Sequence, residues 1–267
     1  MEKTSFESLR RFNMIMGALH LVQGILMLIL ASTVIQKISE FQPQITQTFL
    51  DYVIPVGETE GSLVSVTEPI FTLPFGVLVA LFLFLSAIAH AIISIPKKTN
   101  AIYNADLEKG INRFRWYEYA LSSSVMIVLI STLFGVYDIG SLILIFFINA
   151  TMNLFGLLME QVNIGKDKKN IKWEAFVFGA IAGIIPWVII AMYMIGNGNY
   201  SMVPWFVWAI VGTYFVAFNT FPVNMILQYL GIGKWKNYLY GERVYIILSL
   251  VAKTALAWLV LFGAMQP

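Results

Sequence analysis

The fold of this chain is decided by its last long apolar segment, Val244–Phe262, which has the sequence VYIILSLVAKTALAWLVLF. Eighteen apolar or small residues surround a single primary amine, that of Lys253. A segment of this length and composition is typical of a helix that crosses a membrane. A lysine in the middle of such a helix costs about 3 kcal/mol on the insertion scale, so we interpret Lys253 as functional. Either it is a paired charge on a transport path, or it is condensed with an aldehyde as a Schiff base.

The composition of the whole chain indicates an integral membrane protein. Hydrophobic residues make up 58% of the 267 residues and charged residues 12%, with a mean hydropathy of +0.76. Soluble domains carry about 25% charged residues. With no cysteine, two histidines and no HExxH pattern, neither a disulfide nor a metal site is expected. No nucleophile–base arrangement is visible, so we expect neither an enzyme nor a nucleic-acid-binding protein.

Seven apolar segments are long enough, at about 20 residues each, to cross a bilayer as helices. They are Phe12–Ile35, Leu73–Ile95, Phe114–Tyr137, Ile139–Val162, Phe176–Ile195, Val203–Leu230 and Val244–Phe262. The first lacks a small-residue cleavage pattern, so it is predicted to be a span rather than a signal peptide. The third and fourth meet at Asp138, which predicts a tight antiparallel pair. Residues 1–267 are thus predicted to form one all-α domain, a seven-transmembrane-helix bundle.

The segment 37–72, between the first two spans, has a different character. It is polar and acidic, and it contains two β-prone runs, Ile45–Val53 and Ser62–Thr67, separated by Pro55, Gly57 and Gly61. This pattern predicts a β-hairpin that lies outside the membrane, in the first extracellular loop.

The basic residues predict how the bundle is oriented. With seven spans, the N-terminus and three of the loops share one side, and 15 of the 17 Lys and Arg residues fall there. They are Lys3, Arg10, Arg11, Lys97, Lys98, Lys109, Arg113, Arg115, Lys166, Lys168, Lys169, Lys172, Lys234, Lys236 and Arg243. The opposite side holds only Lys37, and the seventeenth basic residue is Lys253. By the positive-inside rule, the N-terminus is cytoplasmic and the C-terminus is extracellular.

A functional Lys253 needs a partner, and the apolar runs contain two carboxylates, Glu118 and Glu160. At helical spacing, one stripe of the third span carries Arg115, Glu118, Ser122 and Met126. Ser249 lies one turn from Lys253 on the cytoplasmic side. A buried cation must be paired and hydrogen-bonded to keep its proton, and Glu118 with nearby hydroxyls meets that need.

Further polar groups of the spans converge on the cytoplasmic half of the bundle. They are Asn13, His20, Gln23, Ser86, His90 and Glu160. Plainer interpretations exist: the histidines can be satisfied core residues, and Glu160 can reach the headgroups. Ser122 can be a packing residue, and Arg115 can belong to the basic cluster. Outward of Glu118 the third span carries only hydroxyls before Asp138, so a proton pump lacks a titratable relay there.

Two stretches resemble motifs of one known family. Residues 115–124, RWYEYALSSS, are similar to the third-span motif of heliorhodopsins, and residues 249–258, SLVAKTALAW, are similar to their seventh-span retinal-binding motif. The inverted topology, the two histidines and the polar first extracellular loop agree with this resemblance, which covers nearly the whole chain.

The resemblance implies that Lys253 carries all-trans retinal as a protonated Schiff base, with Glu118 as counter-ion and Ser249 and Ser122 tuning it. The implied pocket also contains Met126, Asn149, Met152, Phe218, Phe221 and Gln228. The implied cytoplasmic polar network consists of His20, His90, Ser86, Asn13, Gln23, Arg115 and Glu160. Family members are dimers in which the first extracellular loop contacts the neighbouring protomer. Most are light sensors without established pumping, although a few viral relatives conduct ions.

We therefore predict a photoreceptor that crosses the cell membrane several times. Its Schiff-base proton would leave Lys253 transiently for the cavity near His20 and His90, without being pumped, and the signal would pass to an unidentified cytoplasmic partner. Two alternatives remain open. One is a light-driven or light-gated ion transporter, and the other is a small-molecule transporter in which Lys253 is a free amine paired with Glu118.

Overall fold

The computed structural model describes residues 5–31, 42–54, 56–57, 59–196, 203 and 205–264. The end of the predicted first span, together with Lys3, Lys37 and Pro55, lies outside these residues. The described helices are α1 (Phe6–Ile29), α2 (Phe75–Ser94), α3 (Lys97–Glu108), α4 (Arg113–Leu133), α5 (Ile139–Val162), α6 (Glu174–Gly196), α7 (Trp205–Leu230) and α8 (Tyr238–Ala264). The described strands are β1 (Gln44–Val53) and β2 (Ser62–Thr72).

Seven of these helices, all except α3, are long and apolar enough to cross a membrane. The predicted seven-helix bundle is therefore confirmed, although several boundaries differ from the predicted ones. Helix α1 begins six residues before the predicted Phe12, because the side chain of Ser5 accepts a hydrogen bond from Ser8 N at 3.2 Å and caps the first turn. Helix α8 begins at Tyr238 rather than at Val244, so it includes the polar pair Glu242 and Arg243.

Helix α3 is a short amphipathic helix that the hydropathy pattern did not predict. It buries Tyr103 and Leu107 against Leu9, Ile93 and Ile246, which belong to α1, α2 and α8. Its opposite face is exposed and carries Lys97 and Lys98 among other residues. Apolar residues on one face only are typical of a helix at the surface of a fold. We call this end of the bundle, where α1 begins and α3 lies, the basic end.

The predicted β-hairpin is confirmed at the opposite end, which we call the hairpin end. Strands β1 and β2 pair antiparallel from Gln44 opposite Thr72 to Val53 opposite Ser62, with a bulge beside Thr46. The hairpin is anchored to the bundle, since Thr46 N donates to Tyr137 O at 2.9 Å and the side chain of Ile45 is fully buried. Most other side chains of the two strands are exposed.

The turn between α4 and α5 is as tight as predicted. Gly135 takes a left-handed conformation with φ +89°, which other residues rarely adopt. Three residues later, Asp138 caps α5, because its Oδ2 accepts from Ser141 N at 2.8 Å. These two residues end one span and begin the next, so α4 and α5 pack side by side as an antiparallel pair.

An apolar core fills the half of the bundle toward the hairpin end. It contains fully buried side chains from all seven spans, including Phe82, Ile127, Ile145 and Leu256. Polar side chains in this half of α4 bond to their own helix: Ser131 Oγ donates to Ile127 O at 2.8 Å. Thr132 Oγ1 donates to Leu129 O, also at 2.8 Å. The polar contacts described next therefore lie between this core and the basic end.

Candidate functional site

Lys253 is buried in the middle of α8, with 3% of its surface exposed. Its Nζ lies 2.5 Å from Glu118 Oε1, on α4, and it also donates to Ser86 Oγ, on α2. Ser86 Oγ in turn donates to Glu118 Oε1 at 2.6 Å. Three helices thus supply a closed set of cation, carboxylate and hydroxyl, which is the arrangement that keeps a buried ammonium group charged.

A cavity of about 340 Å³ lies on one side of this set, between helices α4 to α8. Its volume falls in the range of small-molecule binding sites. The predicted pocket residues that line it are Ser122, Met126, Met152, Phe218, Phe221, Ser249 and Lys253. Aromatic side chains that the prediction missed complete the wall, among them Trp116, Tyr119 and Trp187. The side chain of Ser122 is fully buried there.

Two residues predicted to line the pocket lie elsewhere. Asn149 is buried behind the wall, where its Nδ2 donates to Ser123 Oγ at 2.8 Å and to Ser124 Oγ at 3.0 Å. Gln228 lies close to the basic end, where its Nε2 donates to Tyr238 O at 3.2 Å. Gln228 follows Phe221 by seven residues, so it shares that helix face but lies about 10 Å farther along the axis.

A second, smaller cavity of about 40 Å³ lies on the side of Glu118 toward the basic end. Its lining includes Ser86, Glu118 and Ser249 near Lys253, and Arg115 and Glu242 farther away. A space of this size is large enough to hold water, and its wall offers several polar partners. The two cavities meet at Ser249, which lines both of them.

The two histidines lie together between α1 and α2. Their rings stack with centroids 5.6 Å apart and planes 17° from parallel. His90 Nδ1 forms a hydrogen bond with Asn13 Oδ1 at 2.8 Å, whereas neither ring nitrogen of His20 has a partner among the described residues. Gly17 makes this approach possible, because a Cβ there would lie 2.8 Å from His90 Cβ.

Gln23 lies one helical turn beyond His20, on the side of α1 toward the hairpin end. Its Oε1 accepts from Thr254 Oγ1 at 2.9 Å, which places Gln23 beside Lys253 along the axis of the bundle. It lies ten residues along α1 from Asn13, or about 15 Å. Of the predicted network residues on α1, Gln23 is therefore the one nearest to the hairpin end.

Arg115 and Glu160 belong to a buried cluster nearer the basic end. Arg115 Nη2 pairs with Glu160, and Arg115 Nη1 pairs with Glu242, a residue that is absent from the predicted site. Tyr103, on α3, connects the cluster with the histidines: its hydroxyl donates to Glu242 Oε1 at 3.1 Å and accepts from Asn13 Nδ2 at 3.3 Å.

The sequence contained a signal for Glu242. It precedes Lys253 by 11 residues, or three helical turns, and precedes Ser249 by seven, so all three share one face of α8. The prediction missed it because the seventh span was begun at Val244, after the charged pair Glu242 and Arg243. Glu242 can lie within the helix because Arg115, Asn112 and Tyr103 are its buried partners.

Comparison with known proteins agrees with this architecture. The chain matches the family model for heliorhodopsin over residues 9–265. A search of curated proteins gave no match. The matched residues include the hairpin, Lys253 and nearly all of the seven spans. The family indicates a retinal-binding membrane protein of the rhodopsin type. On this evidence the chain belongs to the heliorhodopsin family.

Proposed function

We propose that the protein is a light sensor that carries all-trans retinal on Lys253 as a protonated Schiff base, with Glu118 as its counter-ion. One observation carries the proposal: Lys253 Nζ lies 2.5 Å from Glu118 Oε1 at the wall of a cavity of about 340 Å³. The family match supports retinal as the ligand class. A lysine buried at this depth has no stabilising role that a leucine would not serve better.

The residues around the cavity fit such a ligand. The wall is mostly apolar and aromatic, as a long polyene requires, and Phe218, Phe221 and Trp187 contribute to it. The hydroxyl of Ser122 is a buried polar group in the cavity wall, which Lys253 and Ser249 also line. Bound retinal supplies the absorption of visible light and an isomerisation that changes the surroundings of the Lys253 nitrogen.

The chain's own residues favour a local movement of the proton held at Lys253. Toward the basic end lie the small cavity, the stacked pair His20 and His90, and the hydrogen bond of His90 to Asn13. Toward the hairpin end lies the apolar core, in which Ser131 and Thr132 are already bonded to their own helix. We infer that the small cavity beside His90, together with the stacked histidines, receives the proton transiently and that Lys253 recovers it, without transport across the membrane.

The positive-inside rule places the basic end in the cytoplasm, with the C-terminus outside and the hairpin in the extracellular space. The two exposed strands offer a surface for a second copy of the chain, as in a homodimer. The signal would leave through the loops of the basic end to a cytoplasmic partner. The chain acts in this proposal as a single sensory domain and not as an enzyme.

Reconstitution with all-trans retinal tests the proposal. The purified protein should develop a visible absorption band, and Lys253→Ala should abolish it, whereas Lys236→Ala, at the basic end, should leave it intact. Borohydride reduction followed by peptide mapping should recover the retinyl group on the peptide that contains Lys253. A protein without a visible band, or a band that survives Lys253→Ala, would overturn the proposal in favour of a transporter with a free amine.

A further inference from the structure

The buried cluster around Arg115 contains more negative groups than positive ones. The guanidinium of Arg115 pairs with Glu160 and with Glu242, and all three side chains are at most 4% exposed. Lys253 is already paired with Glu118 and does not contact the cluster. If Glu160 and Glu242 were both ionised, one buried negative charge would have no cation. A carboxyl group in that situation takes up a proton instead.

The hydrogen bonds indicate which of the two carboxyl groups is neutral. Glu160 accepts four: from Arg115, from Trp116 Nε1 at 2.6 Å, from Asn112 N at 2.8 Å and from Tyr238 OH at 3.0 Å. Four donors occupy the lone pairs of a carboxylate, and they favour its ionised form.

Glu242 accepts fewer hydrogen bonds. Its donors are Arg115, Asn112 Nδ2 at 2.7 Å and the hydroxyl of Tyr103 at 3.1 Å. A protonated Glu242 can keep its contact with Tyr103. Either its carbonyl oxygen accepts from the phenol, or its own O–H group donates to the phenol oxygen. Burial raises the pKa of Tyr103 well above its ordinary value, so this phenol keeps its own proton.

We propose that Glu242 is protonated in the resting protein, and that this neutral acid closes the proton path between Lys253 and the basic end. The small cavity leads from Glu118 and Ser249 to Arg115 and Glu242. None of the three groups there can readily accept a proton. Arg115 is a cation, Glu160 already accepts four hydrogen bonds, and Glu242 is already protonated. The second half of the proposal rests on the proposed function, but the protonation of Glu242 does not.

Several titratable groups face Glu242 from the surrounding helices. They are His90 on α2, Tyr103 on α3, Arg115 and Glu118 on α4, Glu160 on α5, and Tyr238 and Tyr245 on α8. Among them Arg115 is the cation in direct contact with Glu242, and Glu160 shares it. The charge count of the cluster therefore depends on these three residues.

Infrared spectroscopy of the purified protein without retinal tests the protonation state. At neutral pH the spectrum should contain the carbonyl band of a buried protonated carboxylic acid, and Glu242→Gln should remove it. The same change at the exposed Glu108 should leave the band in place. Absence of the band in the wild type, or its persistence in Glu242→Gln, would show that Glu242 is ionised.

Thermal unfolding distinguishes the two carboxyl groups independently of light. Glutamine resembles a protonated glutamic acid, so Glu242→Gln should leave the melting temperature almost unchanged. Glu160→Gln removes the charge that pairs with Arg115, and it should lower the melting temperature by roughly 10 °C. The reverse order would assign the proton to Glu160, and equal losses in both variants would mean that both groups are ionised.

Light-induced proton release tests the closing role, in protein loaded with retinal. At neutral pH a pH-indicator dye should detect no release from the wild type. Release at neutral pH would overturn the closing role while leaving the infrared result intact. A protein that binds no retinal would instead refute the proposed function, and the protonation of Glu242 would still be decided by the two measurements without light.

Discussion

Lys253 and Glu118 form an ion pair in the middle of the bundle, with Nζ 2.5 Å from Oε1 and both side chains less than 10% exposed. Such a pair has paid a large desolvation cost, and removal of one partner leaves the other charge without compensation. The hydroxyl of Ser86 contacts both members, so α2, α4 and α8 are joined at a single point. Changes at this point should therefore affect both the pigment and the stability of the fold.

Glu118→Gln removes the negative charge beside Lys253. We expect the visible band of the retinal-loaded protein to shift to the red, because the counter-ion stabilises the ground-state cation. The band should also be lost at a lower pH than in the wild type. Absorption spectra across a pH titration measure both effects. Glu108→Gln, on the exposed face of α3, is the matched control, and an unshifted band in Glu118→Gln would refute the counter-ion assignment.

The double change His20→Asn with His90→Asn tests the histidine pair as the region that receives the proton. Asparagine keeps a hydrogen-bonding group but titrates at no ordinary pH. We expect a smaller yield or a shorter lifetime of the deprotonated pigment, measured by flash photolysis. If the kinetics match those of the wild type, the histidines serve only to organise polar groups around Asn13.

Illumination should cause no net ion transport. Among its described residues, the apolar core between Lys253 and the hairpin end contains no carboxylate, histidine or lysine that could relay a proton. In suspensions of cells that express the protein, light should leave the external pH unchanged, with or without a protonophore. A light-induced pH change that the protonophore abolishes, or a photocurrent under voltage clamp, would favour the ion-transporter alternative.

The orientation can be tested with single cysteines, because the natural chain has none. Val56→Cys, at the fully exposed tip of the hairpin, should react with a membrane-impermeant maleimide applied to intact cells. Lys109→Cys, at the exposed start of the turn after α3, should react only after the cells are opened. The opposite labelling pattern would place the N-terminus outside.

Gly156 allows α4 and α5 to approach each other closely. A Cβ at this position would lie 2.3 Å from the ring of Trp116, whose Nε1 donates to Glu160. Gly156→Ala should therefore destabilise the protein by about 1–3 kcal/mol, by overpacking and by displacing that indole. Gly212→Ala, with open space around the added methyl group, should not destabilise it. Thermal unfolding of both variants is the measurement, and equal stability would contradict the packing argument.

The sequence by itself determined the seven spans, the hairpin and the family, because each depends on local composition or on short motifs. Long apolar runs must form helices in a membrane, where every backbone polar group needs an internal partner. The identification of Lys253 also followed from the sequence alone, since a lysine in the middle of an apolar run is recognisable without knowing its neighbours.

Tertiary structure decided which polar groups meet. Helical periodicity gives the face of a residue, but not which neighbouring helix that face contacts or how deep the residue lies. Gln228 shares a face with Phe221 yet lies near the basic end, and Asn149 is turned toward Ser123 rather than into the cavity. Glu242 lies outside the predicted seventh span, and only the packing of α3, α4 and α5 around α8 makes it a buried partner of Arg115. A hydropathy profile treats every charged residue as exposed to solvent. In the folded bundle, a charged residue such as Glu242 can instead be buried with hydrogen-bond partners from other helices.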